Sequence, residues 1–108
     1  MTDTAGIEAV FLTTHNWGAT ARFFTGLGFV LDFETDHSSG QLRAPGGGPY
    51  LFVAEVPADE EPQTQVVLRV PDEDARPGVE FGDTHYGTRE AVVRDPDGRA
   101  WTLQAARV

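Results

Sequence analysis

The chain has 108 residues, of which 40% are hydrophobic and 10% aromatic, and it contains no cysteine. This length suits a single domain, and the absence of cysteine excludes disulfides and thiolate metal sites. Seventeen acidic residues against eight basic ones give a formal net charge of -9, which disfavours nucleic acid and anionic membranes as partners and favours a cationic small molecule.

Localisation can also be predicted from the sequence. No apolar run approaches the roughly 20 residues that span a bilayer. The N-terminus lacks the basic start and apolar stretch of a signal peptide. We therefore expect a cytoplasmic protein that does not bind membranes.

The first half of the chain predicts the element order β-α-β-β-β. Residues 7–13 are β-branched and apolar, which is typical of a buried strand. Asn16 is a good N-cap for a helix that begins at Trp17, and Gly26 and Gly28 end it. Three short strands are expected after the helix, over residues 29–34, 41–44 and 50–55.

The second half predicts the same strands with a reduced helix. Residues 57–63 are polar and bracketed by prolines, which indicates a surface linker before a strand over 65–70. Residues 71–78 are too few and too broken by proline to hold more than a turn. The remaining strands are expected near residues 79–81, 89–94 and 99–106.

Two segments of the chain repeat each other. Residues 42–50 align with residues 93–101 without a gap, so that Arg43 falls on Arg94 and Tyr50 on Trp101. Both segments contain an x-Pro-x-Gly turn, and in the second the sequence Asp-Pro-Asp-Gly over 95–98 suits a type I turn. The alignment favours two copies of one strand-rich unit, and the alternative is a chance likeness of two hairpins.

Three segments carry a resemblance to a known family. They are Phe-Phe-Thr-Gly-Leu-Gly-Phe over 23–29, Tyr-Gly-Thr-Arg-Glu over 86–90 and Asp-Pro-Asp-Gly over 95–98. In this order they resemble the glyoxalase, bleomycin-resistance and extradiol-dioxygenase superfamily, the vicinal oxygen chelate fold. The resemblance implies one α+β domain over residues 1–108, built from tandem β-α-β-β-β units at about 5–56 and about 64–107. The units are expected to form a curled mixed sheet around a cleft.

The resemblance also implies where a divalent metal would bind. Enzymes of this superfamily place metal ligands on the first and last strands of each unit, and the corresponding positions here are Ala9, Leu51, Gln65 and Thr102. One neutral amide among these side chains cannot hold a divalent ion against water. The three histidines lie in loops and turns without ligand spacing: His15, His37 and His85. We therefore expect no metal, no other cofactor and no catalytic residue.

Strand alternation from these positions predicts the side chains that face the cleft. The expected binding residues are mainly apolar, with a few amides, a hydroxyl and one arginine: Phe11, Trp17, Phe33, Leu51, Val53, Gln65, Arg69, Thr102 and Gln104. The opposite faces should form the core: Val10, Leu12, Val66, Leu68, Val70, Trp101 and Leu103. Two readings of Trp17 stay open, since it can staple the helix to the sheet or stack on a ligand. The same ambiguity applies to Phe33 and His37, which lie on an edge strand and its turn.

These expectations favour a metal-free protein that sequesters a small hydrophobic or aromatic molecule, such as an antibiotic. One alternative is a metal-dependent lyase, isomerase or dioxygenase with relocated ligands, and another is an interaction domain whose cleft is vestigial. A homodimer is expected as well, because a reduced second helix would leave the sheet face under Val70 and Leu103 uncovered.

Overall fold

The computed structural model describes residues 6–73, 78–84 and 87–106. Over these ranges the chain forms eight strands and one helix, which confirms the predicted α+β class. No helix in the described ranges is long and apolar enough to cross a membrane. The contacts divide the chain into two compact units, a first unit of Ala9–Thr64 and a second unit of Met1–Glu8 with Gln65–Val108.

The elements have the following bounds in chain order: β1 (Ile7–Thr14), α1 (Trp17–Gly26), β2 (Val30–Glu34), β3 (Ser39–Arg43), β4 (Tyr50–Glu55), β5 (Thr64–Val70), β6 (Gly82–Asp83), β7 (Thr88–Arg94) and β8 (Ala100–Ala106). Parts of two predictions lie outside the described residues. They are the centre of the turn expected over 71–78 and the segment containing His85 and Tyr86.

The helix of the first unit begins and ends as the sequence predicts. Asn16 has extended backbone angles, and its side-chain oxygen accepts a hydrogen bond of 2.9 Å from the Ala19 amide. This bond satisfies one of the amides that have no partner inside the helix. At the other end, the Leu27 amide donates to the Phe24 carbonyl. Gly28 follows with a φ of 102°, which a residue with a side chain rarely adopts.

The strands of the first unit lie in the order β2-β3-β4-β1. β1 runs parallel to β4, whereas β2 pairs with β3 and β3 pairs with β4 in antiparallel orientation. The helix α1 covers one face of these strands, where Trp17, Leu42 and Val53 form a buried cluster with Leu12 and Leu51 at its margin. We call the other face of these strands the open face of the first unit.

The second unit builds its core without an α-helix in its described residues. Its strands lie in the order β5-β8-β7-β6, with β5 parallel to β8 and the remaining neighbours antiparallel. Phe81 is buried with Val70 and Leu103, and Val79 packs against the same cluster. The strand predicted over 79–81 is therefore wrong: β6 is Gly82–Asp83, and the residues before it cover the sheet instead of extending it.

This packing removes the argument for a homodimer that was based on an uncovered sheet face in the second unit. Val70 and Leu103 are only 2% and 4% exposed in the single chain. Phe81 and Val79 belong to their cluster, so the sheet face predicted to be uncovered is already covered within the unit. An interface with a second copy would have to lie on another surface.

The Asp-Pro-Asp-Gly turn is held by its first residue. The Gly98 amide donates to the Asp95 carbonyl at 2.9 Å, which confirms the predicted turn. The Asp95 carboxylate accepts from the Arg99 guanidinium at 2.8 Å and from the Trp101 indole at 3.0 Å. The hydrogen bonds from Arg99 and then Trp101 hold the pKa of Asp95 well below its usual range. Asp95 therefore has a structural role at the start of β8.

Candidate ligand-binding face

A row of side chains crosses the open face of the first unit. Phe33 pairs with Gln41, Gln41 pairs with Phe52, and Phe52 pairs with Phe11. Directly paired residues point to the same side of a sheet, so one side chain from each of the four strands contributes to the row. We call Phe11, Phe52 and Phe33 the aromatic row.

The rings of the aromatic row lie close to one another. Phe11 and Phe52 are stacked, with centroids 6.0 Å apart and planes 15° apart. Phe33 tilts towards Phe52, with centroids 6.3 Å apart and planes at 55°. Phe11 and Phe52 are half-buried, whereas Phe33 is exposed. The row is thus an apolar surface of suitable shape for a flat hydrophobic or aromatic molecule.

Polar groups flank the row on the strands β2 and β3. The register of β2 shifts between Leu31 and Phe33, which leaves Asp32 unpaired in the ladder. The Asp32 carboxylate accepts from the Gln41 amide at 3.3 Å and from Arg43 Nε at 2.5 Å. These bonds neutralise the carboxylate and the guanidinium against each other. Beside the rings there is consequently a polar margin without net charge.

Trp17 lies on the helix-covered side and not on the open face. Its side chain is only 6% exposed and packs with Leu42 and Val53. Its backbone amide donates to Glu55 Oε2 at 2.8 Å, and its indole Nε1 donates to Glu34 Oε2 at 2.5 Å. Of the two predicted roles for Trp17, the structure supports the staple between helix and sheet. A ligand on the open face cannot reach the indole.

The prediction of which β4 side chains face a ligand is also wrong. Leu51 and Val53 belong to the cluster under α1, so they do not face a ligand, and Tyr50 and Phe52 occupy the open face in their place. The cause is the length of the hairpin connections. Arg43 pairs with Tyr50 across residues 44–49, whereas Arg94 pairs with Ala100 across residues 95–99.

The first connection is therefore six residues long and the second is five. A gapless alignment of the repeats shifts β4 by one position, and a shift of one residue exchanges the two faces of a strand. The counterpart of Thr102 is thus Phe52 and not Leu51. Sequence reasoning missed Phe52 and Gln41, because Tyr50 follows Arg43 at the same distance as Trp101 follows Arg94, and the difference in length appears only in the strand register.

We call the face of the second unit opposite its buried cluster the open face of that unit. It carries the predicted polar residues, and each of them has a partner within the unit. The Gln65 amide donates to the Thr102 hydroxyl. Arg69 forms an ion pair with Glu8 at 3.1 Å. On the next cross-strand pair, the Gln104 amide donates to Glu90 Oε2 at 3.0 Å. Thr102 is also buried, with 7% of its surface exposed.

The superfamily's metal positions do not fit a metal in this chain. With β4 in its observed register, they are occupied by Ala9, Phe52, Gln65 and Thr102. A methyl group and a phenyl ring supply no donor atoms, and the amide of Gln65 is bonded to Thr102. Among the described residues, no three His, Asp or Glu side chains come close enough together to hold a metal ion.

The described histidines have other partners. His15 Nε2 lies 2.7 Å from the Glu60 carbonyl, which fastens the linker after β4 to the entry of α1. His37 Nε2 lies 3.2 Å from an Asp36 carboxylate oxygen on the surface. Neither contact resembles the set of converging donors that a catalytic metal needs.

Two solved structures show which fold these units have. Methylmalonyl-CoA epimerase from Mycobacterium tuberculosis superposes with a TM-score of 0.78 at 16% sequence identity, over 100% of this chain and 92% of that one. A glyoxalase/bleomycin resistance protein/dioxygenase superfamily member from Vibrio splendidus 12B01 gives a TM-score of 0.68 at 15% identity, over 92% of this chain and 98% of that one. No family model and no curated protein sequence matches the chain.

These likenesses define the class of fold. The chain has the vicinal oxygen chelate fold that its three sequence segments predict. At such low sequence identities the likeness shows a shared arrangement of strands. It does not show that this chain shares the chemistry of either relative. The function must therefore be argued from the side chains of this chain.

Proposed function

We propose that this protein is a metal-free small-molecule-binding protein that sequesters a hydrophobic or aromatic ligand, such as an antibiotic, on the aromatic row. The observation that carries the proposal is the alignment of Phe11, Phe52 and Phe33 across the open face of the first unit. One of these rings, Phe52, stands at a position where an enzyme of this fold would need a metal donor. No specific observation favours the alternative of a lyase, isomerase or dioxygenase with relocated ligands.

The chemistry of the face supports a flat ligand. Stacking on a phenyl ring contributes beyond the burial of apolar area and prefers offset or edge-to-face contact. The paired Asp32 and Arg43 present hydrogen-bonding groups beside the rings without a net charge. The net charge of -9 on the whole chain raises the local concentration of a cationic ligand and slows the approach of an anionic one.

The proposal is tested by titrating two flat dyes, the cation proflavine and the neutral Prodan, into the protein and following dye fluorescence. Both dyes should bind, and proflavine should lose affinity as salt screens the negative protein. Phe52→Ala should weaken both by about 5- to 150-fold, which corresponds to about 1–3 kcal/mol of lost burial and stacking.

Val92→Ala is the matched control, because Val92 is an apolar side chain, 58% exposed, in the second unit. It should leave both affinities unchanged. Equal effects of Phe52→Ala and Val92→Ala would mean that the dyes bind nonspecifically, and the proposed face would be wrong.

A separate measurement addresses the metal. Protein purified without chelator should contain no stoichiometric Ni, Zn, Fe or Mn by elemental analysis, and dye affinity should not change on adding EDTA. One equivalent of a metal that EDTA removes together with dye binding or an activity would contradict the proposal.

A further inference from the structure

Gln41 is the one polar side chain in the row that crosses the open face of the first unit. It lies on β3 between two of the rings, because it pairs with Phe33 on β2 and with Phe52 on β4. It is half-buried, whereas Arg43, its neighbour on the same face of β3, is exposed. A ligand that lies on both rings therefore also covers the amide of Gln41.

The two rings come close together beside Gln41. The strands β2 and β4 are two ladder spacings apart, which corresponds to about 9–10 Å between their backbones. The ring centroids of Phe33 and Phe52 are nevertheless only 6.3 Å apart, so the rings lean towards each other across β3. The amide of Gln41 reaches the Asp32 carboxylate, which Arg43 also binds. The amide thus lies where the rings meet the polar margin.

The orientation of this amide is determined by its partner. Asp32 forms an ion pair with Arg43, and an ionised carboxylate accepts hydrogen bonds and donates none. The atom of Gln41 that lies 3.3 Å from Asp32 Oδ2 must therefore be the nitrogen Nε2 and not the carbonyl oxygen. Arg43 holds Asp32, and Asp32 in turn holds the Gln41 amide with its oxygen Oε1 directed away from the carboxylate.

The carbonyl oxygen of Gln41 can accept a further hydrogen bond. Among the residues that the structure describes, none donates to Gln41 Oε1, and no buried side-chain nitrogen or oxygen lacks a partner. The oxygen is therefore accessible from the open face. A ligand group that covers it without donating a hydrogen bond would remove its hydration without replacement, whereas a donor would satisfy it.

We infer that the ligand of the aromatic row is a flat aromatic molecule with a hydroxyl or N–H group on its ring, which donates a hydrogen bond to Gln41 Oε1. The inference rests on the proposed function, because it names the chemical class of the ligand that the rings bind. Asp32 is a positioning residue, which acts on the ligand through Gln41. Rings that present only acceptors or alkyl groups at this point, such as aryl ketones and methyl ethers, are disfavoured.

Two neutral probes that differ only in this donor test the inference: 2-naphthol and its methyl ether, 2-methoxynaphthalene. Phenolic hydroxyls ionise at about pH 10, so 2-naphthol keeps its proton at neutral pH. Proflavine and Prodan do not suit this comparison, because they also differ in charge. Each probe is titrated with the protein, and its fluorescence gives a Kd. The measured quantity is the Kd of the ether divided by the Kd of the naphthol.

Gln41→Met removes the acceptor but keeps the length of the side chain. The ratio of Kd values should fall by about 5-fold or more relative to the wild type, because only 2-naphthol loses a hydrogen bond. Comparing ratios between proteins cancels the greater hydrophobicity of the ether. Asp32→Asn should lower the ratio by a smaller factor. An amide at position 32 can donate as well as accept, so it no longer determines the orientation of Gln41.

Gln104→Met is the matched control. Gln104 is also half-buried, and its amide likewise donates to a carboxylate oxygen, Glu90 Oε2, at 3.0 Å. Its paired residues are Arg69 and Glu90 and not aromatic rings. This substitution should leave the ratio at the wild-type value. Circular dichroism and urea unfolding verify that each variant folds, and Gln41→Leu replaces Gln41→Met if the latter does not.

The outcomes separate the inference from the proposed function. If Phe52→Ala weakens both probes but folded Gln41→Met leaves the ratio unchanged, the inference is overturned and the proposed function stands. A ratio that falls equally in Gln104→Met would also overturn the inference. If neither probe binds, or if Phe52→Ala leaves both affinities unchanged, the proposed function is wrong and the inference is wrong with it.

Discussion

The two units share a strand plan but use their open faces differently. In the first unit, rings from three strands lie in one row across the sheet, with Phe11 stacked on Phe52 and Gln41 between Phe52 and Phe33. In the second unit, the corresponding strands carry amides, a hydroxyl and charges that are bonded to one another, such as Gln65 to Thr102. The open faces of the two units therefore differ in their side chains and not in their strand plan, and the proposed ligand face belongs to the first unit.

The covered faces differ as well. The first unit covers its strands with α1, anchored by Trp17, whereas the second places Phe81 and Val79 on the same kind of surface. One large aromatic residue therefore does comparable packing in each unit. In the first it comes from a helix, and in the second from the residues that precede β6.

The largest expected effects sharpen this comparison of cores. Trp17→Ala and Phe81→Ala should each destabilise the protein by about 3–5 kcal/mol through lost burial and a cavity. Trp17→Ala should be the more severe, because the indole also bonds to Glu34. Urea unfolding measures both. A cost below about 1 kcal/mol for Phe81→Ala would mean that Phe81 does not replace the helix of the first unit.

A smaller change probes the contact between Trp17 and the sheet. A Cβ at Gly40 would lie 2.6 Å from Trp17 Cη2 and 2.7 Å from the Phe33 carbonyl oxygen. Because the nearest backbone atom cannot yield, Gly40→Ala should cost about 1–3 kcal/mol of overpacking. Gly46→Ala serves as a control, since nothing lies within 4 Å of its added Cβ. Equal stability of the two variants would place the indole elsewhere.

The hydrogen-bonded face of the second unit gives the next effect in size. Thr102→Val keeps the shape of a buried side chain but removes the hydroxyl that accepts from Gln65. Leaving the Gln65 amide without its partner should lower the free energy of unfolding by about 1–3 kcal/mol. The substitution lies in the second unit, so the contacts of Phe11 in the first unit should not change. Dye binding should therefore stay at the wild-type level. A variant that keeps full stability and loses the dyes would assign the ligand to the second unit.

The smallest effect concerns the turn before β8. Asp95→Asn should lower the thermal midpoint by a few degrees at neutral pH, because the carboxylate holds Arg99 and Trp101. The pKa of Asp95 is lowered in the folded state, so its stabilisation is complete above the unfolded value of about 3.9 and falls away as the pH drops below it. The difference between variant and wild type should thus shrink at acid pH. A difference that grows on acidification would contradict this role.

Local signals in the sequence predicted much of the fold. Asn16 as an N-cap and Gly28 after the helix define α1, since each satisfies a backbone requirement that few other residues meet. The Asp-Pro-Asp-Gly turn depends in the same way on four adjacent residues. In the second unit, strand alternation from Thr102 gave the correct face of β8, with Leu103 on the buried side.

Features that depend on distant residues could not be predicted in this way. The face of β4 depends on one additional residue in a glycine-rich connection, which an alignment of the repeats conceals. Phe81 follows Val79 in a pattern that is typical of a strand, but packing on the sheet decides its place. For Trp17, the sequence left two roles open, and only the structure shows the indole under the helix.

The most direct test of the account is to map a ligand by NMR. Proflavine is added to ¹⁵N-labelled protein, and the amide shifts of the two open faces are compared. The account predicts that the largest shifts lie at Phe11, Gln41 and Phe52 in the first unit, with little change at Thr102 and Gln104. Shifts concentrated at Thr102 and Gln104, with those around the aromatic row unchanged, would contradict it.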